Sequence, residues 1–197
     1  PRNVSFHRVL MLVCFGGIVS LIISLAGFSM ASLDWLGASA AGIVEEAGKL
    51  LAVVLVVRAS RYRYLLNGML FGAAVGAGFA IFESAGYAFN ALLEKDSLDA
   101  MTASIQLRAM LSPFGHVAWT AISAAALWRA RQGQTLKLQH FVDPTFLKPF
   151  CIPVCLHMVW NAPLPSPLYA RHLALGAAGW FVVFGLVQQG LREVRAE

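Results

Sequence analysis

Charge is scarce in this chain. Only 13% of its 197 residues are Asp, Glu, Lys or Arg, about half of the ~25% that a soluble domain carries. With 58% hydrophobic residues and a mean hydropathy of +0.68, too few polar side chains remain to cover a water-facing surface. That excludes a soluble domain and predicts a polytopic membrane protein. Cysteine is scarce as well. The 3 cysteines, Cys14, Cys151 and Cys155, are odd in number and lie in apolar stretches, which argues against a disulfide framework. Cys151 and Cys155 are one helical turn apart, but His157 lies about 160° round a helix from Cys151, so the three share no ligand face and read as packing residues. GxSxG, HExxH and a Ser–Lys pair in suitable context are all missing. This disfavours serine and zincin-type hydrolysis, and helix packing explains Ser20, Ser24 and Ser123. The net charge of +5 signals no nucleic-acid partner, because the basic residues collect at the ends of apolar runs, as membrane topology requires.

What is present is a series of long apolar runs. A crossing needs about 20 residues, and about six runs qualify, at roughly 9–30, 36–58, 65–93, 109–130, 146–163 and 172–190. The expected fold is therefore all-α: a polytopic transmembrane helical bundle forming a single domain over 1–197. The first run is too long for a signal-peptide core and reads as a retained helix. The opening Pro1-Arg2-Asn3 in place of Met is what a trimmed chain would show. Pro149 and Pro153 predict a kinked or broken fifth span, tolerated where protein or a water cavity surrounds it. Segment 94–108 reads as a connecting loop, with a lid along the outer surface as the alternative. Arg2 and Arg8, then Arg58, Arg61 and Arg63, then Arg129, Arg131, Lys137 and Lys148, and finally Arg192 and Arg195 all fall on one side if both termini are cytoplasmic. The other side holds Asp34, then Glu94, Lys95, Asp96 and Asp99, then Arg171, which reads as a headgroup anchor.

Within these runs stand residues that a bilayer core does not accept without a partner or water, so each marks a functional site by default. They are Glu45, Glu46 and Lys49 in the second run, Glu83 in the third, His116 in the fourth, and His157 and Asn161 in the fifth. The orientation puts Glu45, Glu83 and His157 roughly 9–15 Å inside the outer ends of their spans. Ser112-Pro113 is a plausible helix start just before His116. Gly37, Ala41, Glu45 and Lys49 form one stripe at four-residue spacing, with Glu45 placed to pair with Lys49 and Glu46 pointing about 100° away. Gly68, Gly72, Gly76, Ala80, Ser84 and Ala88 form a small-residue face that admits a close neighbour. His157 and Asn161 share a face, and an imidazole beside a carboxamide is a workable oxyanion hole.

Glu45-Glu46-Ala-Gly-Lys49 matches EExxK, Phe79-Ala-Ile-Phe-Glu83 matches FxxxE, and His116 is followed by His157-Met-Val-Trp-Asn161, an HxxWN. In this order, on successive helices over about 36–163, the motifs resemble the PrsW family of intramembrane proteases. That family is grouped with the type II CAAX prenyl endopeptidases and bacteriocin-processing proteins. The resemblance implies a protease of the bacterial inner membrane. It implies a membrane-anchored protein substrate, the prototype being an anti-sigma factor cut on its extracytoplasmic side. The prenyl endopeptidases carry a histidine where this chain has Glu83.

Two mechanisms fit these residues. In one, no metal takes part: Glu45 is the general base near His116, and His157 and Asn161 hold the oxyanion. In the other, Glu83, His116 and His157 hold Zn²⁺ with a position open for water, and Glu45 or Glu46 is the base. Two non-proteolytic readings use the same buried groups. A scaffold, like a related gamma-secretase subunit, would tolerate loss of the acids, which are intact here. A proton- or cation-coupled transporter would often show paired halves with matching broken helices, and no convincing internal repeat is seen.

Overall fold

The computed structural model describes residues 4–57, 62–165 and 167–196, and every regular element among them is helical. Arg2, Arg58 and Arg61, used above for orientation, lie outside the described residues. The first rod is built of α1 (Phe6–Met11), a π-helical stretch at Leu12–Gly16 and α2 (Gly17–Met30). Ser5 starts it, its side chain accepting the Arg8 amide at 3.3 Å. A 3₁₀ segment at Asp34–Ser39 leads into α3 (Ala40–Val56). Gly37 has φ 53° there, a left-handed conformation that suits glycine. The stripe expected from Gly37 through Lys49 therefore begins only at Ala41.

Helix α4 (Leu65–Lys95) has 31 residues, about 46 Å at 1.5 Å per residue, longer than the ~30 Å hydrocarbon layer. Its first turn lacks a side-chain cap of its own; Glu193 supplies one, accepting the Leu65 amide at 2.9 Å. After a left-handed Asp96 the chain reverses into α5 (Leu98–Leu111), capped by Ser97. The connecting loop expected at 94–108 is thus a helical hairpin packed back along α4. A 3₁₀ turn at Ser112–Phe114, with Pro113 in its first positions, and then Gly115 separate α5 from α6 (His116–Arg131). Helix α7 (Pro144–Asn161) starts on an Asp143 cap that accepts the Thr145 amide at 2.7 Å. It runs as one helix through Pro149 and Pro153, so of the kink or break expected there the break does not occur; each proline removes one amide donor, and the flanking bonds hold the helix. Helix α8 (Ala170–Arg195) ends the bundle.

Among the described residues, four helical stretches are long and apolar enough to cross a membrane: Phe6–Met30, Leu65–Lys95, Leu98–Arg131 (α5 and α6 together) and Ala170–Arg195. The expected count of six is loose, α3 and α7 being expected spans that fall outside these four. With 17 and 18 residues they reach only about 26 and 27 Å, and α3 carries three charges. α3 is largely buried and packs against α2, α4, α6 and α7, so protein rather than lipid surrounds its polar groups. α6 is the central helix, buried almost from end to end. Leu12, Val53, Phe71, Val75, Leu127 and Trp128 form one part of the core, and Leu65, Met69, Ile122 and Val183 another. Cys14, Cys151 and Cys155 are free thiols on the outside of the bundle, not packing residues of its interior.

Candidate active site

Close helix contacts bring the polar residues together. α4 meets α6 along its small-residue face: a Cβ on Gly76 would overlap the His116 carbonyl oxygen, and one on Gly72 the Thr120 carbonyl oxygen. This contact seats the first residue of α6, His116, against the middle of α4. On α3, Gly42 lies against Val154 and Met158 of α7, and Gly48 against Ser24 of α2. The acid pair between those glycines is thereby pressed toward His157.

Lys49 is the hub. Its Nζ is 2.7 Å from Glu46 Oε1, 2.9 Å from His116 Nδ1 and 3.5 Å from Glu45 Oε2, and it sits 4.4 Å above the Phe79 ring. The expected Glu45–Lys49 pair exists, but the closer partner is Glu46. Glu46 Oε1 also takes His157 Nδ1 at 2.9 Å, while His157 Nε2 stands 3.8 Å from Glu45 Oε2. His116 Nε2 is 3.0 Å from Glu83 Oε2, the same oxygen that accepts from Arg108 Nη2. Trp119 lies beside His157, ring centroids 4.5 Å apart, and packs edge-on against Trp160.

Donor chemistry assigns the protons. An ammonium only donates, so His116 accepts at Nδ1 and its Nε2–H points to Glu83. An ionised carboxylate only accepts, so His157 donates from Nδ1 to Glu46 and offers a lone pair at Nε2. Two buried carboxylate oxygens, Glu45 Oε2 and Glu46 Oε2, have no hydrogen-bond partner. Glu45, His116 and His157 each bring one ligand atom to within 4.8 Å of the others. Two histidines and a carboxylate are a common catalytic zinc set, and the orphaned oxygen of Glu45 fits a cation there. Glu83, expected among the ligands, is not one of that group of three but touches His116 directly. Its Oε2 is engaged by His116 and Arg108.

Two cavities reach this cluster. One is lined by Glu83, Tyr87, Arg108, His116, Trp119, His157, Trp160 and Asn161. The other lies between α2, α3 and α4 and is lined by Leu25, Phe28, Glu45, Phe79, Glu83, Tyr87 and Asn161. Asn161, the last residue of α7, borders both. The sequence reading missed Arg108, Tyr87 and Trp119 and gave Lys49 no role beyond pairing with Glu45. It also took Arg171 for a headgroup anchor. Its guanidinium donates to the carbonyls of Trp160, Ala162 and Leu164 at 3.2, 2.7 and 2.8 Å, closing the end of α7. An arginine with no neighbouring acid on its own helix, as Arg108 is within α5, was the available signal.

Packing alone gives no reason to gather three acids, two histidines and a lysine around accessible hollows inside an apolar bundle; water-dependent bond cleavage does. The class defined is that of an intramembrane hydrolase. The model for the PrsW family of intramembrane metalloproteases matches residues 5–187, and the chain belongs to that family. It is an intramembrane peptidase. No curated protein and no solved structure matches the chain.

Proposed function

We propose that this peptidase cuts a membrane-anchored protein near the extracytoplasmic face, using Zn²⁺ held by Glu45, His116 and His157. The observation that carries the reading is the convergence of those three side chains from α3, α6 and α7 to within 4.8 Å. Bound zinc supplies polarisation of the scissile carbonyl and a water acidic enough to attack at neutral pH. The chain's own residues do the rest. Glu45 lines a cavity whereas Glu46 is fully buried, so Glu45 is the acid that meets water and substrate. Glu46, buried between Lys49 and His157, is a positioning residue that fixes the His157 ring with Nε2 free. The N–H of neutral His157 is spent on Glu46, so the oxyanion donor is the Asn161 carboxamide, bordering both cavities. Trp119, against the His157 ring, excludes water from its far side.

The site lies toward the bundle end that carries Asp34, Asp96 and Asp99, away from Arg63, Arg129, Lys137 and Arg192. The positive-inside rule supports reading that end as extracytoplasmic and both termini as cytoplasmic, and a bacterial inner membrane follows from the family resemblance. A substrate such as an anti-sigma factor follows from the family resemblance. The test is cleavage of membrane-tethered peptides by protein reconstituted in vesicles, with products located by mass spectrometry. Wild type is expected to cut within or beside the outer half of the substrate's span. Glu45→Gln and His157→Ala are expected to lose about 10²- to 10⁴-fold in kcat/KM. Equal cleavage by all three proteins would refute the assignment.

A further inference from the structure

We propose that Arg108, on α5, is a positioning residue that holds Glu83 as the carboxylate partner of His116, and that Glu83 is not itself a metal ligand. The inference rests on the metal reading above and concerns how the second histidine is oriented. A ligand histidine commonly donates its other ring N–H to a carboxylate, which sets tautomer and ring angle and raises the basicity of the ligating nitrogen. His157 has that partner in Glu46. His116 has its own in Glu83, through Nε2 at 3.0 Å. The two histidines are then supported alike, and the ring nitrogens turned to the cluster are His157 Nε2, 3.8 Å from Glu45 Oε2, and His116 Nδ1, which takes the Lys49 ammonium at 2.9 Å and would hold a metal only in its place.

Glu83 is held for this duty from outside the motif-bearing helices. Arg108 donates from Nη2 to Glu83 Oε2 and from Nε to Ser84 Oγ at 3.0 Å, and its guanidinium lies 4.1 Å over the Tyr87 ring. Residues 83, 84 and 87 lie on one side of α4, so the fork, the hydroxyl and the ring grip a single guanidinium. The oxygen that Arg108 engages is the one that accepts from His116. An oxygen already taking two charge-assisted donors has little lone-pair density left for a metal. The element that supplies Arg108 is the hairpin helix α5, so its packing against α4 controls the geometry of His116.

The test measures metal binding, not only turnover. Purified protein is titrated with Zn²⁺ against a chromophoric chelator, and with Co²⁺ to record its visible absorption. Variants are Glu83→Gln, Arg108→Gln, Arg108→Lys, His157→Ala, and Met110→Ala as an exposed α5 control, each checked for folding by circular dichroism. Glu83→Gln and Arg108→Gln are expected to keep one metal per chain with affinity lowered about 10- to 100-fold and a shifted Co²⁺ band. Arg108→Lys is expected to fall between them and wild type, Met110→Ala to match wild type, and His157→Ala to lose the metal. Glu83→Gln behaving like His157→Ala makes Glu83 a ligand and overturns the proposal. So does Arg108→Gln with wild-type affinity and spectrum. Wild type that takes up neither metal overturns the metal reading itself, a distinguishable result.

Discussion

Lys49 stands between two carboxylates and an imidazole with no exposed surface of its own, so its charge cannot be removed without consequence. Lys49→Met leaves Glu46 buried beside an apolar chain. It is expected to destabilise the fold by about 3–5 kcal/mol, read as earlier unfolding in a denaturant titration in detergent. Glu46→Gln is milder: the carboxamide can still accept from His157 or Lys49. Turnover is expected to fall while the protein stays folded, in contrast to Lys49→Met. At this scale much of the site was legible. Glu45, Glu46, His116 and His157 announce themselves because ionisable groups are costly in an apolar span, and that cost is visible without coordinates. The division of labour among them was not legible. Spacing on one helix gives the angle between Glu45 and Glu46, but only the packing of α7 against α3 decides which of them His157 Nδ1 meets. Arg108 was hidden because its partner Glu83 lies 25 positions away on another helix.

The elements position the site through two kinds of glycine. Gly76 faces the His116 carbonyl with no room for a Cβ, whereas Gly86 on the same helix has nothing within 4 Å. Gly76→Ala is expected to push α6 outward, cost about 1–3 kcal/mol and lower turnover with it. Gly86→Ala is expected to leave turnover unchanged and to stabilise the helix by up to about 1 kcal/mol. Thermal unfolding and peptide cleavage on the same two preparations check both. The small-residue face of α4 was readable from its four-residue period. α5 was not, because its apolar residues Leu98, Met101, Ile105, Leu107 and Met110 fall on all sides and leave no amphipathic stripe. The count of spans was loose for a related reason. α3 and α7 are as apolar as a crossing helix over part of their length, but both are short, and α3 is largely lined by protein.

Taken whole, the molecule is an all-helical bundle whose polar chemistry sits off centre, toward the end poor in Lys and Arg. That asymmetry predicts topology. In a chain with Cys14, Cys151 and Cys155 replaced by Ser, a membrane-impermeant thiol reagent added outside intact cells is expected to label Asp96→Cys and not Lys137→Cys; the reverse pattern would place the site on the cytoplasmic side. The composition made the membrane class legible, since so little charge cannot clothe a soluble surface. The proposed side of the membrane rests on the placement of the basic residues, and the proposed metal rests on three ligand atoms meeting. The most direct test is therefore turnover of a membrane-tethered peptide by reconstituted protein, stripped with a chelator and then resupplied with Zn²⁺. Loss of cleavage on stripping and its return with one equivalent of Zn²⁺, in wild type but not in Glu45→Gln or His157→Ala, is the predicted result. Full cleavage by the stripped protein, with no bound metal detected by mass spectrometry, would contradict it.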